Sequence, residues 1–267
     1  MNDTEAMKVL PRLTAFLMAI CITGHAQAGF LVVNSDEWTL SDTGFANSPT
    51  TDVFINNVTN LFSGDSPGNF LAYSTNFGLT GSALASAVTS AGHSWTVSTA
   101  VTFDVPSLMA YDGVFLGALP TVDQTVLIDY LNAGGNAYIM AGTGTVGGPG
   151  PEAAAWNDVL ALGGLAFDST WCCSTVVAPP TDATHPLLDG VDDLFFNFGN
   201  PVMDLDTPGT NGEILFTYSG YGMLGLASFG ELPPPSVYSP VPTPPMAILL
   251  GLGLLMIGGR RRIIRND

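Results

Sequence analysis

The sequence predicts an α/β fold: a three-layer sandwich with a mostly parallel sheet between helices. Two observations carry this. Short apolar runs alternate with amphipathic helical segments, and the links between them are short and punctuated by glycine. Right-handed crossovers between successive parallel strands then place helices on both faces of the sheet. The 267 residues suit one domain of roughly 200 residues plus targeting segments.

The elements follow in order. Phe30 to Val33 is a continuous apolar run bounded by Asn34, Ser35 and Asp36, the pattern of a buried first strand. Between Thr51 and Phe62, the residues Phe54, Ile55, Val58, Leu61 and Phe62 share one helical face, and Gly64 ends the helix. The alternation recurs with Phe70 to Tyr73 as strand, Ser82 to Ser90 as helix closed by Gly92, and Trp95 to Val97 as strand. Gly113 to Leu116 is a further apolar run. Thr121 to Asn132 reads as a helix with a capping box of Thr121 and Gln124, an apolar face of Val122, Val126, Leu127, Tyr130 and Leu131, and a stop at Gly134 and Gly135. Ala137 to Ala141 follows as a strand.

Charge is segregated. Lys8, Arg12, Arg260, Arg261, Arg262 and Arg265 are the only six basic side chains, so residues 13 to 259 hold neither Lys nor Arg. Twenty carboxylates lie between Asp36 and Glu231, and the whole chain carries a formal charge of −17. Nucleic acid is not an expected partner, because neutralising phosphates requires cations. Such an acidic surface suits a soluble polyanion able to collect divalent cations, Ca2+ among them.

The ends read as targeting segments. Lys8 and Arg12 precede an apolar run from Leu13 to Ile22, and Ala26 and Ala28 supply the small residues that signal peptidase requires, giving a signal over 1–28 with cleavage before Gly29. Met7 to Ala28 alone would make a complete signal. The alternative is an uncleaved membrane anchor, for which the run is short. After a globular domain over 29–231, residues 232–245 include seven prolines and read as an extended spacer. Residues 246–267 hold an apolar run from Met246 to Gly259 and then Arg260, Arg261 and Arg262, which face the cytoplasm by the positive-inside rule and leave the domain outside.

Spacer, apolar helix and arginine cluster together resemble the PEP-CTERM tail of Gram-negative bacteria. There a Pro-Glu-Pro motif, a hydrophobic helix and an Arg cluster address a protein to the membrane protease exosortase. Val241, Pro242, Thr243 and Pro244 stand where the family usually has Val-Pro-Glu-Pro, so Thr243 replaces the glutamate. The resemblance implies an exported protein, membrane-anchored before processing, in an organism that makes exopolysaccharide. A plain single-span tail anchor is the alternative.

Ligands of open α/β sheets bind beyond the carboxyl ends of the strands, which directs attention to Gly142, Thr143, Gly144 and Thr145. Tyr111 to Leu119, Leu127 to Gly144 and His185 to Leu194 resemble the class I glutamine amidotransferase-like superfamily and its ThuA-like branch, which implies an amidotransferase-like or flavodoxin-like sheet. In catalytic members a Cys occupies the tight turn after that strand, where backbone amides stabilise the oxyanion. Thr143 stands there instead, so the resemblance implies no catalytic residue. His93 and His185 are the only mature imidazoles. Structural roles, a His185–Asp189 hydrolase pair and a metal site joining both histidines all remain open.

Cys172 and Cys173 follow Trp171 and are the only mature cysteines, leaving a bond between these neighbours, free thiols or an intermolecular bridge. Asp204, Asp206, Gly209 and Glu213 superficially resemble a calcium loop, but Pro208 and the early glutamate break the EF-hand spacing. Asp189, Asp192 and Asp193 read as a solvated turn. Trp38 with Asp36, Glu37 and Asp42, just beyond the first strand, forms an aromatic face flanked by acids that suits a sugar ring; a core tryptophan with capping acids explains it equally. The leading expectation is therefore a non-catalytic exported envelope or matrix protein without a resident cofactor, its partners signal peptidase, an exosortase-like protease and exopolysaccharide. A secreted hydrolase or sugar-binding protein and a cation-dependent acidic scaffold are the alternatives.

Overall fold

The computed structural model describes residues 29–64, 66–118, 122–181 and 183–229. The signal over 1–28 with Ala26 and Ala28, the spacer, and the tail with Thr243 and Arg260 to Arg262 lie outside the described residues.

The elements begin with β1 (Gly29–Asn34), α1 (Asp42–Asn47), α2 (Thr51–Ser63), β2 (Asn69–Tyr73), α3 (Phe77–Thr80), α4 (Ser82–Ser90) and β3 (Ser94–Val97). They continue with α5 (Val105–Leu108), β4 (Gly113–Leu116), α6 (Gln124–Asn132), β5 (Ala137–Met140) and α7 (Pro149–Leu160). After α7 come β6 (Leu165–Phe167), β7 (Val176–Ala178), β8 (Leu194–Phe196), β9 (Val202–Asp204), β10 (Glu213–Tyr218) and β11 (Tyr221–Phe229).

The fold is mixed α/β around one large sheet. Strands β3-β2-β4-β5-β1 are parallel throughout, and the strand and helix alternation seen in the sequence falls in this part. Beyond β1 the sheet continues with the antiparallel strands β11, β9 and β6, and β10 pairs with β11. β7 and β8 make a separate two-stranded antiparallel sheet.

Period-two alternation in the parallel strands divides the core. Val32, Phe70, Ala72, Phe115, Tyr138 and Met140 pack with Phe54, Ile55 and Val58 of α2 and with Leu84 and Val88 of α4. Leu31, Val33, Leu71, Val114, Leu116 and Ile139 pack with Leu127 and Leu131 of α6 and with Trp156 and Val159 of α7. Alternate residues of the parallel strands thus enter two apolar clusters, one with α2 and α4 and the other with α6 and α7.

One boundary differs from its sequence expectation. Thr121 lies outside the described residues, and α6 starts at Gln124, capped by Asp123, whose Oδ1 accepts from Thr125 N at 2.9 Å and Val126 N at 3.5 Å. A carboxylate facing the first amides also meets the positive end of the helix dipole, which the Thr121 and Gln124 box would not. No helix among the described residues is long and apolar enough to cross a membrane.

Candidate functional site

β1 and β5 are neighbours from which the chain leaves on opposite faces, toward α1 and α2 after β1 and toward α7 after β5. A crevice opens beyond the carboxyl ends of strands at such a reversal. At that end of this sheet the turns after β1, β2 and β5 meet.

The turn after β1 carries Asp36 and Glu37. Asp36 is fully buried; its Oδ1 accepts from Trp38 N at 2.9 Å and its Oδ2 from the backbone N–H of Asn197. Burial pushes its carboxyl up to about 8 against the pull of those two amides, and the nearby Glu37 and Glu152 raise it further. Glu37 is 6% exposed and accepts from Asn76 Nδ2. Burial raises it to about 7, with Glu152 contributing in the same direction.

The turn after β5 carries Thr143, 8% exposed. Its hydroxyl donates to Glu152 Oε1 at 2.6 Å and its backbone N–H to Glu152 Oε2 at 3.1 Å. The amides of Gly142 and Gly144 favour the charged form of the Glu152 carboxyl, which burial nevertheless raises above its ordinary range. Gly142 takes a left-handed φ of 76°, where a side chain would be strained. The carboxyl group of Glu152, fully buried in the first turn of α7, therefore sits in the nest of amides at this turn.

Asp36, Glu37 and Thr143 are thus brought together, buried, beyond the carboxyl ends of β1 and β5, with Asp36 facing backbone amides and closed to solvent. Trp38 stands beside them, half-buried, its indole edge-on to Phe77 with ring centroids 4.7 Å apart. The turns after β1 and β2 touch backbone to backbone, since a Cβ on Gly78 would lie 2.2 Å from Glu37 O. Asp42 sits apart at the start of α1, where it accepts from Ala83 N at 2.8 Å beside a shallow cleft of about 340 Å³ lined by Phe77 and Ser82.

The remaining candidates lie elsewhere. His93 is nearly buried and its Nδ1 accepts from Gly68 N at 2.9 Å. His185 Nδ1 accepts from Leu187 N at 3.2 Å, and its Nε2 lies 3.7 Å from Glu213. Cys172 and Cys173 are bonded to each other, Cys173 with a left-handed φ of 61°. Asp206 N donates to Asp204 Oδ1 at 2.8 Å within its own turn. Among the described residues, no three His, Cys, Asp or Glu side chains converge to hold a metal ion.

Sequence reasoning missed Glu152, Asn76 and Asn197, which complete this buried group. Glu152 carries the one local signal, an acid three residues after Pro149 in a helix first turn. Comparison with family models, with curated proteins and with solved structures gives no match for this chain.

Proposed function

We propose that this chain is an exported, non-catalytic cell-envelope or extracellular-matrix protein. Signal peptidase releases it at Gly29; the tail tethers it with the domain outside the cytoplasm until an exosortase-like protease removes the arginine cluster. The domain itself is a three-layer sandwich of amidotransferase-like type that has given up the chemistry of its crevice.

One observation carries the non-catalytic assignment. In the Gly142 to Gly144 turn, whose amides catalytic relatives of the resembling superfamily offer to an oxyanion, the backbone N–H and hydroxyl of Thr143 here bond the carboxyl of Glu152. An internal carboxyl in that position repels a developing oxyanion and occupies its donors. Thr143 is nearly buried, and neither His93 nor His185 has a partner in the crevice. Export is supported by the confinement of all six basic side chains to the two ends.

The test is to express the full chain in an exosortase-bearing Gram-negative host, fractionate the cells and read both termini by mass spectrometry. The expected mature chain begins at Gly29 and has lost Arg260 to Arg262. Replacing Arg260, Arg261 and Arg262 by Gln should block that loss, and Thr243→Glu should increase it. A mature chain that keeps its arginines would reduce the tail to a plain anchor, and a cytoplasmic chain would overturn export. Turnover of any ester or glycoside in a panel, abolished by Thr143→Val, would overturn the non-catalytic assignment.

A further inference from the structure

Trp171 and Phe198 are 46% and 52% exposed. Both stand beside the crevice. A Cβ on Gly144 would lie 3.8 Å from Cζ2 of Trp171, so the indole lies next to the turn that holds Thr143. Phe198 follows Asn197, whose N–H is held by Asp36. The two segments are cross-bonded: Phe198 N donates to Cys173 O at 2.9 Å and Cys172 N to Gly199 O at 3.0 Å. Gly199 presses against the end of β1, where a Cβ would lie 2.4 Å from Ser35 O.

The backbone is strained where the rings are presented. Phe198 has a φ of 64° and Cys173 a φ of 61°, a region that side chains disfavour. Folding stability alone does not favour an aromatic residue held left-handed with half its ring in water. Strain of this kind, kept in place by bonds from Asp36 and Cys173, is typical of a surface retained for recognition.

We propose that Trp171 and Phe198 form a ledge that binds an uncharged saccharide ring, at the pole of the domain facing away from its tether. The rings offer apolar faces for sugar C–H groups, and the exposed hydroxyls of Ser169 and Ser174 on the adjoining segments offer neutral hydrogen bonds. An anion finds no partner, since residues 13 to 259 contain no Lys or Arg. A cation gains nothing from Asp36 or Glu152, which are fully buried, and Oδ1 of the half-buried Asp168 already accepts from Thr170 N and Oγ1 at 3.0 and 3.1 Å.

A lipid surface is set aside by topology. Gly29 pairs with Phe229 at the opposite end of β1 from Asn34, so the first and last described residues lie at the far pole from the ledge. Six residues of strand separate the poles by roughly 20 Å. This step rests on the tethered orientation of the proposed function; the chemistry of the ledge does not.

The experiment uses the full chain in detergent and native affinity gels containing dextran, galactomannan or hydroxyethyl cellulose, with alginate and chitosan oligomers as charged arms and phosphatidylcholine vesicles as the lipid arm. Retardation by at least one neutral polysaccharide is expected, weakened tenfold or more in Trp171→Ala and in Phe198→Gly. Phe198→Gly should at the same time raise the melting temperature, because glycine accepts the left-handed backbone; a purely structural phenylalanine would not separate the two readouts. The proposal is overturned if no neutral polysaccharide retards the protein, or if both variants bind as the parent does. It is equally overturned if the two substitutions weaken binding only to alginate, chitosan or vesicles. Release of new reducing ends would sink the non-catalytic assignment and leave the ledge standing, whereas a cytoplasmic location would sink export alone.

Discussion

At the amino ends of the parallel strands, Asn136 satisfies every polar atom it carries, whereas at the carboxyl ends three acids are crowded together. Asn136 Nδ2 donates to Phe62 O at 3.1 Å and Asp112 O at 2.8 Å, and its Oδ1 accepts from Phe30 N at 2.9 Å. Its backbone N–H and C=O both bond the Tyr130 hydroxyl. At the other pole Glu37 and Glu152 raise the proton affinity of Asp36, Glu152 raises that of Glu37, and Asn34 Oδ1, Ser35 Oγ and Asn200 Oδ1 are buried without a protein partner. A satisfied neutral network lowers the energy of one arrangement, while crowded acids and orphan atoms raise it. The first pole is built for stability and the second keeps groups that stability alone would remove.

The largest expected effect is at the stable pole. Asn136→Ala strands the Phe30 N–H and the Phe62 and Asp112 carbonyls, costing about 3–5 kcal/mol. That corresponds to a fall of roughly 10 °C in Tm for a domain of this size, read by thermal melts. An equal loss in Ser35→Ala, which removes only a hydroxyl without a protein partner, would erase the contrast between the poles.

The pH dependence should come from the crowded pole. Asp36 and Glu37 have folded pKa values raised to about 8 and about 7, above their unfolded values. The folded state therefore binds more protons than the unfolded one between those limits, and stability falls as pH rises from about 4 to about 8. Unfolding free energies from denaturant titrations at pH 5 and pH 8 should differ by about 2–4 kcal/mol in favour of the lower pH. Asp36→Asn should reduce the difference. A flat profile in the parent protein would show that the acids are relieved by solvent and break the comparison.

The two poles also differ in how far the sequence displays them. Phe70 to Tyr73, Ser82 to Ser90 and Gly113 to Leu116 are legible because apolar periodicity and glycine stops agree locally. The antiparallel extension is not, because strands as short as Val202–Asp204, with a buried, exposed, exposed pattern, owe their pairing to distant β11 and carry little period of their own. Asp36 and Thr143 are legible as residues of the turns after β1 and β5 because those strands are predicted. Glu152, Asn76 and Asn197 join them from three separate segments, and no local pattern announces which buried polar groups will meet.

Thr143 offers an intermediate test at the crowded pole. Thr143→Val keeps the shape of the side chain and removes the hydroxyl that donates to Glu152 at 2.6 Å, at a cost of about 1–2 kcal/mol. Because the hydroxyl stabilises the charged form of Glu152, its loss should also steepen the fall in stability with rising pH. Denaturant titrations at pH 5 and pH 8 separate the two effects.

The smallest expected effect uses the same residue type in an ordinary setting. Asp123 also lies on the carboxyl side of the sheet, after β4, but its carboxylate caps α6 through Thr125 N and Val126 N. Asp123→Ala should cost about 1 kcal/mol, the usual loss of a helix cap. Asp36→Asn should instead recover stability at pH 8, since it removes an acid that must ionise while fully buried. Opposite signs for the two substitutions at pH 8, read from denaturant midpoints, would show that burial, and not the number of amides an acid accepts from, separates the crevice acids from the rest of the acidic surface. Equal losses would mean that Asp36 is one more satisfied backbone latch, and the functional pole would shrink to the aromatic ledge and the Glu152 nest.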